Sequence, residues 1–188
     1  MRDRVRLAVS GHAPTELPLE GHRDAAVFLL LHEVEGIEHL IFQVRSSTLA
    51  HHSGQISFPG GTRDPADGTL LETALREVEE EIGVPRDHIE VFGRIDDAFT
   101  QSSNYRMRPY VGALQPGPRD FAIDAREVHQ LLSVPLEFLM SPEARGWQAV
   151  DRDGALETVP GFVYGEHIIW GATARVLERF LGVLGGYE

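Results

Sequence analysis

The 188-residue sequence predicts an α/β protein of the α+β type, one mixed β-sheet sandwiched between α-helices. Three observations carry this expectation. Apolar runs of strand length recur along the chain, but they do not alternate regularly with helical patterns as they would in a doubly wound parallel fold. A turn signal, VEGIE, separates the first two of these runs as in a hairpin. Two segments, one near residues 70–82 and one at 171–184, have helical periodicity with clear ends. With 42% hydrophobic and 24% charged residues the composition is globular. No repeat, low-complexity linker or composition shift suggests a boundary, so residues 1–188 read as a single domain with residues 1–24 as an N-terminal arm of unknown role.

Taken in order, DAAVFLLLHE and HLIFQVR read as paired strands. The loop TLAHHSG leads into QISFPGG, a short strand ending in Pro-Gly-Gly. After the polar turn TRDPADG a helix begins at Thr69, where Glu72 three residues on completes a capping box. Gly83 stops it. IEVFGRID and YRMRPYVGAL read as strands, and EVHQLLSVPL as a strand running into a short helix. WQAVDRDGALETVPGFVYG forms a hairpin around Asp-Gly, and GATARVLERFLGVL closes the chain as an amphipathic helix.

Charge and missing residue types narrow the chemistry. A net charge of −12 argues against nucleic-acid binding, which needs clustered cations, and an anionic substrate would need a cation as go-between. The sequence has no cysteine, which removes disulfides, thiolate nucleophiles and zinc-thiolate sites. It also has no lysine; all 17 basic residues are arginine, which disfavours Schiff-base enzymes and P-loop phosphotransferases. No apolar run approaches the ~20 residues of a membrane span, and the N-terminus lacks a secretory apolar stretch, so the expectation is a cytoplasmic protein without a membrane partner.

The stretch REVEEEIG, residues 76–83, sets four glutamates among eight residues. Glu77 and Glu81 are a like-charge pair at i,i+4 spacing, unfavourable to an isolated helix by roughly 0.2–0.5 kcal/mol. At ~100° per residue Glu77, Glu80 and Glu81 share one face, while Leu75, Val78 and Ile82 face a core. A solvated acidic surface is the plain alternative. Against it stand Arg76, positioned to orient Glu77, the preceding FPGG turn, and the all-oxygen face, which suits Mg²⁺ with waters and substrate phosphates completing its shell.

The stretch GGTRDPADGTLLETALREVEEEIGV, residues 60–84, resembles the signature of the Nudix hydrolases. Arg76, Glu77, Val78, Glu80, Glu81, Gly83 and Val84 match its second half. In the first half Asp67 stands where the family has glutamate, one residue further from Arg76 than in the pattern. The resemblance implies a mixed sheet between helices and a divalent cofactor, Mg²⁺ with Mn²⁺ as the alternative, held by Glu77, Glu81, Glu80 and the carbonyl of Gly60. It makes Glu80, Glu77, Glu81 and Arg76 the catalytic candidates, with Glu80 as the preferred base. The preceding LIFQVRSSTLAHHSGQISFPGG, residues 40–61, resembles the motif of the coenzyme A pyrophosphatase subgroup through Arg45, Ser46, Leu49, His52, Gly54, Gln55, Phe58, Pro59, Gly60 and Gly61. Ala50 replaces an arginine of that motif, and IIWGATARVLERFL is similar to the subgroup's last helix. The implied reaction is hydrolysis of coenzyme A or an acyl thioester to 3′,5′-ADP and 4′-phosphopantetheine. Arg45, His52, Gly61 and Arg63 are the candidate substrate-binding residues.

Other readings stay open at this point. One is another nucleoside diphosphate derivative, such as ADP-ribose, NADH or a dinucleoside polyphosphate; a second is a nucleotide sensor without turnover. Arg106 and Arg108 are candidate phosphate contacts set against a solvated role. His51 and His52 are candidate ligands or bases set against simple loop residues. Asp96 and Asp97 read better as loop structure than as water holders, and Phe58, Trp147 and Trp170 better as core than as base-stacking rings. The oligomeric state is open, with a homodimer as the candidate.

Overall fold

The computed structural model describes residues 1–46, 54–100, 104–115, 120–152 and 154–185. Its centre is the run AAVFLLL in strand β1 (Arg23–Val34), which alternates between two cores. Val27, Leu29 and Leu31 belong to one cluster of buried side chains, and Ala26, Phe28 and Leu30 to the other. A strand covered on both faces needs apolar residues at every position, which is why this run shows no period-two alternation.

Strand β2 (Ile37–Arg45) returns antiparallel to β1 through a turn in which Glu35 and Gly36 both take positive φ. Short strands β3 (Ile56–Ser57) and β4 (Gly60–Thr62) pair with β2 and β1 respectively. Helix α2 (Leu70–Ile82) follows, then β5 (Ile89–Arg94), β6 (Ala98–Phe99) and β7 (Tyr105–Leu114). Strand β7 lies parallel to β1 with Ala26 opposite Arg108, so the sheet is mixed. Strand β8 (Val128–Pro135) pairs with β2 and runs into the short helix α3 (Leu136–Met140). Among the described residues the sheet has eight strands, with the path β3-β2-β1-β7-β5 at its core. A second sheet comprises β9 (Arg145–Arg152), β10 (Ala155–Tyr164) and β11 (His167–Trp170), from which helix α4 (Gly171–Val183) departs.

Helix α2 covers one face of the large sheet through Leu70, Ala74, Val78 and Ile82. Val176, Leu177, Phe180 and Leu181 of α4 and Leu139 of α3 pack in the cluster on the other face. Val5 and Val9 join them from a helix that the sequence reading treated as an arm, α1 (Arg2–Gly11). Its anchors are long-range: Arg2 donates to Glu38 Oε1 at 2.6 Å and to the Leu114 carbonyl at 3.0 Å, and Arg4 to the Leu184 carbonyl at 2.6 Å. No helix among the described residues is long and apolar enough to cross a membrane.

Candidate active site

Helix α2 starts as its sequence dictates. Thr69 Oγ1 accepts from the Glu72 amide at 3.2 Å while Glu72 Oε2 accepts from the Thr69 amide at 2.8 Å. It ends at Gly83, left-handed at φ 70°. The loop before it is fastened by Asp67. That carboxylate accepts from Arg76 Nε at 3.1 Å, from an Arg76 terminal nitrogen at 3.1 Å, from Thr73 Oγ1 at 2.8 Å and from the Asp64 amide at 2.9 Å. These bonds, the Arg76 guanidinium above all, hold the Asp67 carboxyl far below the usual range.

Arg76 is also the hub of the glutamates. Its remaining terminal nitrogen lies 2.9 Å from both Glu77 Oε1 and Glu80 Oε2. One guanidinium therefore ties the loop acid to two helix acids, and this, within the protein itself, offsets part of the like-charge repulsion.

The three glutamates do not form one solvated face. Side-chain exposure is 60% for Glu80, 14% for Glu77 and 2% for Glu81. Helical angle alone could not show this, because β2 and β4 pass beside the helix at Glu81. Glu81 Oε1 accepts from Gln43 Nε2 at 2.8 Å and Oε2 from the Gly60 amide at 2.8 Å. Arg45 lies 4.0 Å from Oε1. Burial raises the Glu81 carboxyl to about 7, outweighing the bonds from Gln43 and Gly60 that favour its ionised form, while Glu77 adds to the rise. Burial also raises Glu77, opposed by Arg76 and reinforced by Glu80 and Glu127.

The two glycines of the turn make room for this pocket. A Cβ on Gly61 would stand 2.4 Å from Glu77 Oε1, so the carboxylate fills the space that glycine leaves. Gly60 has φ +150°, and a Cβ there would stand 2.3 Å from the Ala26 carbonyl oxygen.

Glu77, Glu80, Glu81, Arg76, Arg45, Gly60 and Gly61 are thus brought together. His52, like His51 and Ala50, lies outside the described residues. Arg63 is turned to the loop, donating to the Asp67 and Gly68 carbonyls at 3.2 Å each. Arg106 and Arg108 meet carboxylates of the protein: Arg106 pairs with Asp24 at 2.7 Å, and Arg108 grips Asp97 through two bonds of 3.0 Å. Asp96 and Asp97 in turn accept from the Thr15 and Leu17 amides, fixing the segment after α1. Phe58 stacks on Phe42 in the core, whereas Trp147 is exposed on β9.

Two polar residues beside the carboxylates, and a third paired with one of them, escaped the sequence reading. Glu127 acts on Glu77 through its charge. Gln43 is fully buried, and its signal was a lone polar residue inside the apolar run LIFQV. Ser57 stands opposite Gln43 across β2 and β3.

The donor set suits a divalent cation. Two acids are desolvated beside each other, a cost that a bound cation would offset, and all ligands on offer are oxygen. Among the described residues no three acid or imidazole groups already converge as a ligand set. A cation at Glu77 and Glu81 would therefore rely on the Gly60 carbonyl, water and substrate, the usual habit of Mg²⁺.

Comparison with known proteins agrees with this geometry. A family model described as the NUDIX domain matches residues 21–159. The human mitochondrial coenzyme A diphosphatase NUDT8 is 35% identical over 170 residues, 87% of this chain and 71% of that protein. A protein of Photorhabdus laumondii called uncharacterized Nudix hydrolase NudL is 36% identical over 140 residues, 74% of each chain. The crystal structure of the MutT protein from Methanosarcina mazei superposes with a TM-score of 0.57 at 18% identity, over 84% of this chain and 91% of that one, which shows the shared fold. With the family model covering most of its length, and with relatives of this identity, the chain belongs to the Nudix hydrolases.

Proposed function

We propose that this Nudix hydrolase cleaves the diphosphate of coenzyme A or its acyl thioesters, giving 3′,5′-ADP and 4′-phosphopantetheine. The observation that carries the reading is the segment 40–61. It resembles the coenzyme A pyrophosphatase motif, and it supplies Arg45 and Gly60 to the carboxylate pocket. The name of the human relative supports the same substrate class. Glu77, Glu81 and the Gly60 carbonyl would hold Mg²⁺ or Mn²⁺, with Glu80 assisting through water. When bound, the cation neutralises charge developing at phosphorus and the leaving oxygen and acidifies an attacking water.

Each side chain then has a task. Gln43 and the Gly60 amide fix the plane of the Glu81 carboxylate, and Gly61 lets the Glu77 carboxylate close on the turn. Glu80 faces solvent and is steadied by Arg76, so it takes the proton of the attacking water and passes it on to solvent. The water oxygen bonds to phosphorus as the bridging P–O bond breaks, and the leaving phosphate keeps the electron pair. Arg45, 4.0 Å from Glu81 Oε1, would meet a phosphate of the substrate. The partner is a small molecule, neither nucleic acid nor membrane, and the setting is cytoplasmic.

A product assay tests this reading. With Mg²⁺ present, 3′,5′-ADP should form from coenzyme A far faster than product forms from ADP-ribose, NADH or a diadenosine polyphosphate. Cleavage of one of those with coenzyme A untouched would move the substrate to the alternative that Ala50 favours. Undiminished turnover in excess chelator would remove the metal from the reaction.

A further inference from the structure

Beside the carboxylate pocket, on the β2–β3 pair, two buried oxygens lack a hydrogen-bond partner among the described residues: Gln43 Oε1 and Ser57 Oγ. Gln43 is 0% exposed. Its amide nitrogen is committed to Glu81 Oε1 at 2.8 Å, which turns the carbonyl oxygen away from that carboxylate. Ser57 is the residue directly opposite Gln43 in the antiparallel β2–β3 pair. Directly opposed residues project to the same face with Cβ atoms about 5 Å apart. That face is the α2 side, since Ile41, two residues before Gln43, packs in the cluster with Val78 and Ile82.

An unpartnered buried acceptor is destabilising, and here two occur on directly opposed residues. Both can accept hydrogen bonds, the serine hydroxyl also being able to donate one, and Gln43 adjoins a carboxylate that accepts as well. A group fitting this site is therefore rich in donors and small. A hydrated divalent cation is such a group: its coordinated waters are strongly polarised donors, and Mg²⁺ keeps several of them on binding.

We propose that Gln43 and Ser57 form an outer acceptor pair that receives hydrogen bonds from water carried by the divalent cation at Glu81. They are positioning residues: the pair holds the hydration shell, and through Gln43 the same side chain holds the Glu81 carboxylate. The proposal rests on the metal reading above. It goes further in assigning the second layer of the site to β2 and β3, outside the helix and turn of the family signature.

The experiment is a Mn²⁺ titration, following free Mn²⁺ by its electron paramagnetic resonance signal, with melting in chelator measured in parallel. Ser57→Ala removes one acceptor and leaves Gln43 and Glu81 in place. The expected result is Mn²⁺ affinity weakened roughly tenfold, the scale of outer-layer effects at metal sites. Melting in chelator should be unchanged or raised, because an unsatisfied oxygen has gone. Ser57→Thr restores the hydroxyl and should restore affinity. Gln43→Met should weaken Mn²⁺ binding at least as much, since it loses both functions. Affinity within twofold of wild type for folded Ser57→Ala would overturn the proposal. So would lower stability in chelator with unchanged Mn²⁺ affinity, the mark of a structural water instead. Failure of the wild type itself to bind Mn²⁺ would overturn the metal reading and this proposal together, and is distinguishable because Glu81→Gln would then change nothing in the titration.

Discussion

Two adjacent glycines make opposite demands. At Gly61 the obstacle to a Cβ is the Glu77 carboxyl, the far end of a flexible side chain. At Gly60 it is main chain, the Ala26 carbonyl oxygen at 2.3 Å and Val27 Cα at 2.6 Å, with φ +150° adding strain. Gly61→Ala should therefore leave the melting temperature nearly unaltered while turnover falls about 100-fold, since displacing a reacting group by ~1 Å has that scale of effect. Gly60→Ala should lose about 3 kcal/mol of stability, because central strand β1 cannot yield. Circular dichroism melts with product assays separate the two, and equal loss of stability would sink this division of labour. Glu80→Gln should keep the wild-type melt and lose about 100-fold or more in turnover, the lower range for a general base; full turnover would place the base elsewhere. At this scale the residues that the sequence groups, carboxylates and glycines alike, do meet around one turn and helix in the fold. The sequence could not separate buried Glu81 from exposed Glu80, since what buries Glu81 is β2, 38 residues away along the chain at Gln43.

Elements with a local code were legible, and those held by distant partners were not. Helix α2 carries its own start and stop signals, β1 shows a long apolar run, and β7 ends in a shorter one, PYVGAL. Strands β6 and β11, two and four residues long, and helix α1 went unread. In α1 only Val5 and Val9 are buried, too few for a clear period, and three arginines alternate through its first half. Its stability comes instead from partners such as Glu38, which is 6% exposed and would be left without Arg2. Arg2→Ala should accordingly lose about 2–3 kcal/mol, as expected when a buried charge loses its charge-assisted bonds. Amide hydrogen exchange should show α1 opening ahead of the sheet. Uniform protection of α1 in that variant would mean that Val5 and Val9 suffice to hold it.

For the whole molecule, the carboxylate pocket couples folding to pH. Glu81 titrates at about 7 in the folded chain against 4.5 as its unperturbed value. Its raised value favours the folded state fully below about 4.5, and that contribution disappears as pH rises through about 7. The shift corresponds to about 3 kcal/mol as an upper bound. His32 works in the other direction, since burial and neighbouring His39 lower it to about 4 from 6.5, so its contribution is present above 6.5 and is lost as pH falls toward 4. The wild-type profile in chelator mixes the two, and the difference between wild type and Glu81→Gln isolates the carboxylate. Below about pH 4 the two proteins should melt alike, because the position is then mostly neutral in both, folded and unfolded. By pH 8 the variant should be the more stable by up to about 3 kcal/mol, with the gap opening mostly between pH 5 and 7. Saturating Mg²⁺ should reverse the order at pH 8, because a ligand that binds only the folded wild type stabilises it by mass action. A constant gap across pH would show that Glu81 stays ionised without the cation. A wild type that Mg²⁺ leaves unchanged at pH 8 would mean that the negative charge crowded along α2 is balanced by the protein alone, through Arg76 and Arg45.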